Sequence, residues 1–134
     1  MLVGAHLAGL AIEHSMLGAA HACANPLTAR FGVTHGIAVG LMLPHVVEFN
    51  RPAVAALYAE LERTDDAGAP KTKLEQRLRA LRAACRLPER LQDCGVPRSA
   101  LDALADEAAE QWTAGFNPRP VTRRELRELY DAAY

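Results

Sequence analysis

The sequence has 134 residues, half of them apolar, and a formal net charge of −1 at pH 7. This length and apolar content suit one domain with its own core, and the balanced charge argues against nucleic acid or an anionic membrane surface as a partner. The three cysteines follow no disulfide or metal-binding spacing, and no apolar run without charges is long enough to cross a bilayer. These features predict a single cytoplasmic domain without a membrane segment.

Apolar residues recur at helical spacing from the start of the chain, and no alternating strand pattern is present. No Ser, Thr, Asp or Asn precedes the first helical segment, Leu2–Met16, to cap its amide groups. We therefore expect this segment to belong to a longer protein that continues upstream. A second helix is predicted from about Leu17 to Arg30, with a kink or restart at Pro26 and a stop at Gly32.

A third helix is predicted from His35 to about Asn50, with Thr34 as its cap and a bend at Pro44. The next helix should begin at Pro52 and end at about Arg63, because a missing amide hydrogen costs nothing in a first helical turn. A polar linker, Thr64–Pro70, follows it.

Three helix starts in the second half of the chain are predicted from Ser or Thr followed three residues later by an acidic residue. These pairs are Thr72 with Glu75, Ser99 with Asp102, and Thr122 with Glu125. Pro88 should start a short helix that ends at Gly95, and the helix after Ser99 should extend through Trp112. The resulting prediction is an all-α fold, a multi-helix bundle of about six to eight helices.

Two histidines, His21 and His35, lie on either side of the predicted break between the second and third helices. Neutral imidazole is the commonest side-chain ligand for iron or zinc, and metal sites in helical bundles take ligands from facing helices. The spacing alone leaves two interpretations open. The rings could form half of a metal site, or they could occupy polar corners of a helix junction.

Several short sequence motifs occur in the same order as in the iron-dependent (group III) alcohol dehydrogenases, which the chain closely resembles, and together they span nearly the whole chain. The motifs are Gly9-Leu10-Ala11, Leu17-Gly18-Ala19-Ala20-His21-Ala22, Asn25-Pro26-Leu27, Thr34-His35-Gly36, Leu43-Pro44-His45-Val46, Phe49-Asn50, Phe116-Asn117-Pro118-Arg119, Leu129-Tyr130 and Ala132-Ala133-Tyr134.

This resemblance implies a dehydroquinate-synthase-like fold with an amino-terminal dinucleotide-binding domain and a carboxy-terminal helical domain. A divalent metal, usually iron and sometimes zinc, lies between them on one aspartate and three histidines. The last two ligands correspond to His21 and His35. Many members carry a further histidine near the nicotinamide where this chain has Asn25. A neutral amide forms hydrogen bonds but does not transfer protons at neutral pH, so we expect Asn25 to line the cofactor or substrate cleft.

The resemblance implies part of a metal-dependent oxidoreductase that interconverts small alcohols with aldehydes or ketones, using Fe2+ or Zn2+ and NAD or NADP. Residues 1–134 would form its single helical domain, without the dinucleotide-binding domain and the first helix of the helical domain. The sequence contains no glycine-rich phosphate loop, and we expect the isolated chain to be inactive. We also expect a homo-oligomer that binds neither nucleic acid nor membrane.

Two alternatives remain for the function. The chain could be a stand-alone helical interaction module with a vestigial metal site, or a relative of maleylacetate reductases or polyol dehydrogenases. Among the remaining residues, His45 is interpreted as a buried, hydrogen-bonded structural histidine, Cys23 as a small core residue, and Arg119 as a residue that holds its loop in place.

Overall fold

The computed structural model describes residues 1–62 and 72–134. Six α-helices occur in these two ranges: α1 (Leu2–Ser15), α2 (Ala19–Phe31), α3 (His35–Leu61), α4 (Leu74–Ala84), α5 (Leu101–Ala109) and α6 (Arg123–Ala133). Short 3₁₀ turns occupy Leu91–Cys94, Arg98–Ala100 and Trp112–Phe116. Neither described range contains a β-strand, and the predicted all-α fold is confirmed. The predicted linker Thr64–Pro70 lies outside the described residues.

The core lies where α2, α3, α5 and α6 meet. Small residues of α2, including Ala22, Cys23 and Ala24, are completely buried, so that this helix approaches its neighbours closely. The largest fully buried side chains around it are Tyr130, Leu27, Leu41, Met42, Leu91, Leu101, Leu104 and Leu126. Each buried side chain of this size contributes about 1.5–3 kcal/mol to folding, which makes α2 the central element of the domain.

The two helices that carry the candidate histidines follow the predicted boundaries closely at their junction. Gly32 ends α2 in the left-handed conformation, with φ 64°, and its amide donates to the carbonyl of Thr28 at 3.1 Å. Such a residue satisfies a free carbonyl at the end of a helix, and glycine adopts this φ without a steric penalty. Thr34 then occupies the N-cap position of α3, although its side chain does not cap the helix. The chain therefore turns sharply between the two histidines.

The prediction of a separate helix beginning at Pro52 was wrong in its position. The α-helical segment α3 continues past Pro44 and Pro52, and its backbone becomes non-helical only at Val54 (φ −133°, ψ 27°). The break thus lies two residues after Pro52, although a proline removes a hydrogen bond from the turn before it and crowds that turn.

The three predicted capping pairs behave differently. Thr122 and Glu125 form the expected reciprocal box at the start of α6. Helix α5 instead begins at Leu101 after a 3₁₀ turn, without a side-chain cap. Helix α4 begins after Lys73, and the amide of Leu74 donates to Glu62 at 2.8 Å. The start of α4 is thus fixed by a residue distant in sequence, which a local capping rule does not detect.

Helix α1 has no buried residue. Its apolar side chains point in several directions, and Leu2 and Val3 are 88% and 72% exposed. A helix that is apolar on all sides is characteristic of a buried environment, so α1 presents a surface that the described residues do not cover. None of the helices in the described ranges combines the length and apolarity that a membrane span requires.

Candidate metal centre

The rings of His21 and His35 face each other across the junction of α2 and α3. Their centroids lie 5.4 Å apart, and their planes are tilted by 44°. His21 lies in the first turn of α2 and is half-buried, whereas His35 is the first residue of α3 and is exposed. The predicted convergence of the two imidazoles is therefore present in the structure.

The charge state of His21 suits a metal ligand. Burial, and next the nearby His35, lower the pKa of His21 from its ordinary value. Desolvation and a neighbouring positive charge both disfavour the protonated ring. Because a metal binds the unprotonated ring nitrogen, His21 is compatible with metal binding at neutral pH.

The geometry of the pair is also compatible with one shared ion. Two imidazoles that each bind the same ion at about 2.0–2.1 Å have ring centroids roughly 4.5–5.5 Å apart. The 5.4 Å separation lies within this range. No third His, Cys, Asp or Glu of the described ranges joins the two rings in a cluster.

A cavity of about 520 Å³ adjoins His21. Its walls come from the end of α1, the first turn of α2, the middle of α3, and the last 3₁₀ turn with the loop after it. They include Ser15, Gly18, Val39, Leu43 and Phe116. This lining is mainly apolar, and two amide side chains, Asn50 and Asn117, contribute polar atoms to it. The cavity places His21 at the edge of an open apolar space.

The amides of Asn50 and Asn117 form a reciprocal pair of hydrogen bonds. Asn50 Nδ2 donates to Asn117 Oδ1 at 3.0 Å, and Asn117 Nδ2 donates to Asn50 Oδ1 at 2.7 Å. Neither residue was predicted from its local sequence to have a role, although both lie in motifs that carry the family resemblance. No local pattern reveals the pair, because the two asparagines are 67 residues apart.

Asn25 lies on α2, one helical turn after His21, and is half-buried. Its Nδ2 donates to the side-chain oxygen of Gln111 at 2.9 Å. This bond connects α2 to the segment after α5. The amide of Asn25 thus has a protein partner, and its predicted position in a cofactor or substrate cleft remains a prediction.

The other residues singled out from the sequence lie apart from the histidine pair. Arg119 holds its loop as predicted: its Nη1 donates to the carbonyl of Phe49 at 2.7 Å, and its guanidinium lies 3.9 Å from the ring centroid of Phe49. Cys23 is completely buried, and burial raises the pKa of its thiol to about 12. His45 is half-buried between α3 and α6, beside Glu48 and Leu129.

Comparisons with known proteins agree on one family. The model of the C-terminal part of the Fe-containing alcohol dehydrogenase family matches residues 1–134. Lactaldehyde reductase of Escherichia coli (strain K12) is 30% identical over 141 residues, which cover 100% of this chain and 37% of that protein. NADPH-dependent butanol dehydrogenase of Clostridium saccharobutylicum is 26% identical over 137 residues, covering 96% and 35%.

Solved structures give the same result. The structure of an alcohol dehydrogenase from Oenococcus oeni superposes with a TM-score of 0.86 at 28% identity, over 96% of this chain and 35% of that one. The chain spans little more than a third of the length of the relatives it matches. From the family match over its whole length, the chain belongs to the Fe-containing alcohol dehydrogenase family and corresponds to the C-terminal part of its members.

Proposed function

We propose that this chain is the metal-carrying helical part of an NAD(P)-dependent oxidoreductase that interconverts small alcohols with aldehydes or ketones. The observation that carries the proposal is the His21–His35 ring pair, with centroids 5.4 Å apart. Relatives named lactaldehyde reductase and NADPH-dependent butanol dehydrogenase support this general kind of reaction and substrate.

In this proposal His21 and His35 supply two ligands to a divalent ion, Fe2+ or Zn2+. A bound ion of this kind acts as a Lewis acid on the oxygen of an alcohol or carbonyl compound. The remaining ligands and the nicotinamide would be held by a segment outside this chain, and the isolated chain would be inactive. The apolar cavity beside His21 would receive the carbon chain of the substrate, and Asn25 would line the cleft as a hydrogen-bonding group that does not exchange protons.

The metal proposal is tested by titrating the chain with Zn2+ in a calorimeter. We expect weak binding, because two imidazoles without a carboxylate form an incomplete site. His21→Ala and His35→Ala should each abolish it, whereas His14→Ala, which changes an exposed histidine of α1, should not. Equal binding by His21→Ala and the unchanged chain would contradict the proposed site.

The catalytic proposal needs a longer polypeptide that carries this chain behind a dinucleotide-binding domain. Loaded with Fe2+, it should reduce small aldehydes with NADH or NADPH, and His35→Ala should remove both the bound metal and the activity. Full activity of the His35→Ala protein without metal would reject a role of this pair in the reaction.

One observation favours a second function, a helical module that self-associates. Helix α1 exposes Leu2, Val3, Leu7, Leu10 and Ile12, and contiguous apolar surface of this kind favours association. The expected homo-oligomer would then form through α1. Sedimentation at several concentrations tests this: the chain should be dimeric or larger, and a chain without residues 1–14 should be monomeric. An oligomer that persists without α1 would show that another surface is responsible.

A further inference from the structure

The side chain of Asn117 connects three segments of the chain through all of its polar atoms. Its Oδ1 accepts from the backbone amide of Ala19 at 3.3 Å and from Asn50 Nδ2 at 3.0 Å. Its Nδ2 donates to Asn50 Oδ1 at 2.7 Å and to the carbonyl oxygen of Arg119 at 2.6 Å. Asn117 therefore links the start of α2, the middle of α3 and its own loop.

The contact with Ala19 replaces a helix cap. Ala19 is the first residue of α2, and amides in a first turn have no partner within the helix. Gly18 occupies the N-cap position and offers no side chain to accept from them. A Cβ atom on Gly18 would lie 3.1 Å from Asn117 Oδ1, which is tighter than ordinary contact. The glycine thus allows an asparagine 98 residues from Ala19 to cap the helix.

The capped turn is the one that carries His21. The carbonyl of Gly18 accepts from the amide of His21 at 3.1 Å and from that of Ala22 at 3.2 Å. The direction of this turn fixes where the His21 imidazole projects. A shift of the Gly18–Ala19 segment therefore moves the ring of His21.

The other end of the network belongs to the helix that begins with His35. Asn50 is a buried residue of α3. Arg119 holds the loop of Asn117 on the same helix, through the carbonyl and the ring of Phe49. The loop that carries Asn117 thus links the start of α2 to α3 through hydrogen bonds, in addition to the apolar packing of the two helices.

We propose that Asn117 is a positioning residue for His21: it fixes the first turn of α2 against α3 and so holds the His21 imidazole at the distance from His35 that a shared metal ion requires. This inference rests on the metal-binding function proposed above. It differs from a general role in stability, because it predicts a specific change in the histidine pair.

Three variants separate positioning from stability. Asn117→Ala removes every contact of the side chain. Asn117→Asp keeps the acceptor for Ala19 but places an oxygen against the Asn50 and Arg119 oxygens. Thr122→Ala removes the cap of α6 and serves as a control whose loss of stability arises at another helix. Gly18→Ala displaces the Asn117 amide without removing it and replaces Asn117→Ala in the comparison if that protein does not fold.

The first measurement uses the metal-free chain. Nuclear Overhauser contacts between the ring protons of His21 and His35 should be present in the unchanged chain and in Thr122→Ala. They should be weakened or absent in Asn117→Ala or Gly18→Ala, and intermediate in Asn117→Asp. Ring contacts that are unchanged in the Asn117 variants would overturn the inference.

The second measurement is the Zn2+ affinity. We expect Asn117→Ala to lower it about tenfold, as changes in residues that orient metal ligands do, while Thr122→Ala leaves it unchanged. An equal loss in both variants would reduce Asn117 to a stability role and overturn the inference. If the unchanged chain binds no Zn2+, the proposed metal function fails, and the ring contacts of the metal-free proteins alone decide whether Asn117 positions His21.

Discussion

The carbonyl of Cys23 accepts a hydrogen bond from the hydroxyl of Tyr130 at 2.7 Å in the interior of the domain. Pro26 lies one turn later in α2, and its missing amide leaves the carbonyl of Ala22, the residue before Cys23, without a helical donor. Burial, and next the neighbouring Cys23, raise the pKa of Tyr130, so its hydroxyl stays protonated and donates. A side chain of α6 thereby supports the helix of the candidate ligands at its weakest point.

We expect Tyr130→Phe to lower the free energy of unfolding by about 0.5–1.5 kcal/mol, because it removes one buried hydrogen bond. Urea denaturation followed by circular dichroism measures the change. Tyr134→Phe, which removes a hydroxyl from a half-buried tyrosine at the end of α6, is the control. A Tyr130→Phe protein as stable as this control would show that the bond adds nothing.

His45 gives the domain a pH-dependent stability. Burial lowers the pKa of its imidazole to about 4, and the charges of Arg79 and Arg82 on α4 add to this, against the opposite effect of Glu48. Glu125 and Glu128 of α6 line the same cavity as His45. The folded protein therefore keeps the ring neutral, whereas the unfolded chain takes up a proton near pH 6.5.

Because the unfolded state binds more protons between pH 6.5 and 4, this residue's contribution to stability is complete above pH 6.5 and is lost as the pH falls towards 4. In His45→Gln, the decrease in unfolding free energy between pH 7 and 4.5 should be smaller by on the order of 1 kcal/mol, since solvent screens a half-buried ring. Urea denaturation at each pH measures it. The same pH dependence in both proteins would contradict a neutral His45.

At the scale of helices, a cluster of charged residues joins the end of α3 to the start of α4. Arg51 donates to Glu62 at 2.7 Å and also pairs with Glu75, which is only 5% exposed. Burial acts to raise the pKa of Glu75, but its hydrogen bond from Arg51 and the nearby charges lower it overall. Glu62 also caps the amide of Leu74. The position of α4 thus depends on one arginine.

Arg51→Met should destabilise the protein by about 1–3 kcal/mol, because it leaves the buried Glu75 without a counter-charge. We expect amide hydrogen exchange in α4 to accelerate more than in α6. Arg79→Met is the control: it breaks the exposed ion pair in which Arg79 Nη2 lies 3.1 Å from Glu48 Oε2. It should lower the free energy of unfolding by at most about 1 kcal/mol. Equal effects of the two substitutions would show that Arg51 acts only as a surface charge.

On the scale of the whole molecule, α1 is separate from the core formed by α2, α3, α5 and α6. It has no buried side chain, so its removal should not reduce the apolar area that stabilises the fold. At protein concentrations low enough for both chains to be monomeric, we expect a chain without residues 1–14 to unfold within about 0.5 kcal/mol of the complete chain. Thermal and urea denaturation test this, and a larger loss of stability would show that α1 packs on the domain in solution.

Residues close together in the chain were enough to predict the helical class, the turn at Gly32 and the start of α6 at Thr122, and they singled out His21 and His35 as candidate ligands. Each of these depends on residues close together in the chain: helical periodicity, a glycine that adopts positive φ, and a cap three residues from its partner. The family resemblance also rested on short local motifs, and the match of the family model to residues 1–134 confirms it.

Other features became visible only in the tertiary structure. They are the course of α3 past Pro52 to the non-helical residue Val54, the capping of α4 by Glu62 and the hydrogen-bond network of Asn117. The 5.4 Å separation of the histidine rings also belongs to this group. The bond from Leu74 to Glu62 and the bond from Ala19 to Asn117 join residues 12 and 98 positions apart, and local propensity carries no information about such pairs. Their geometry follows from how the buried faces of α2 and α3 pack, because close packing fixes side-chain positions that the chain alone leaves free.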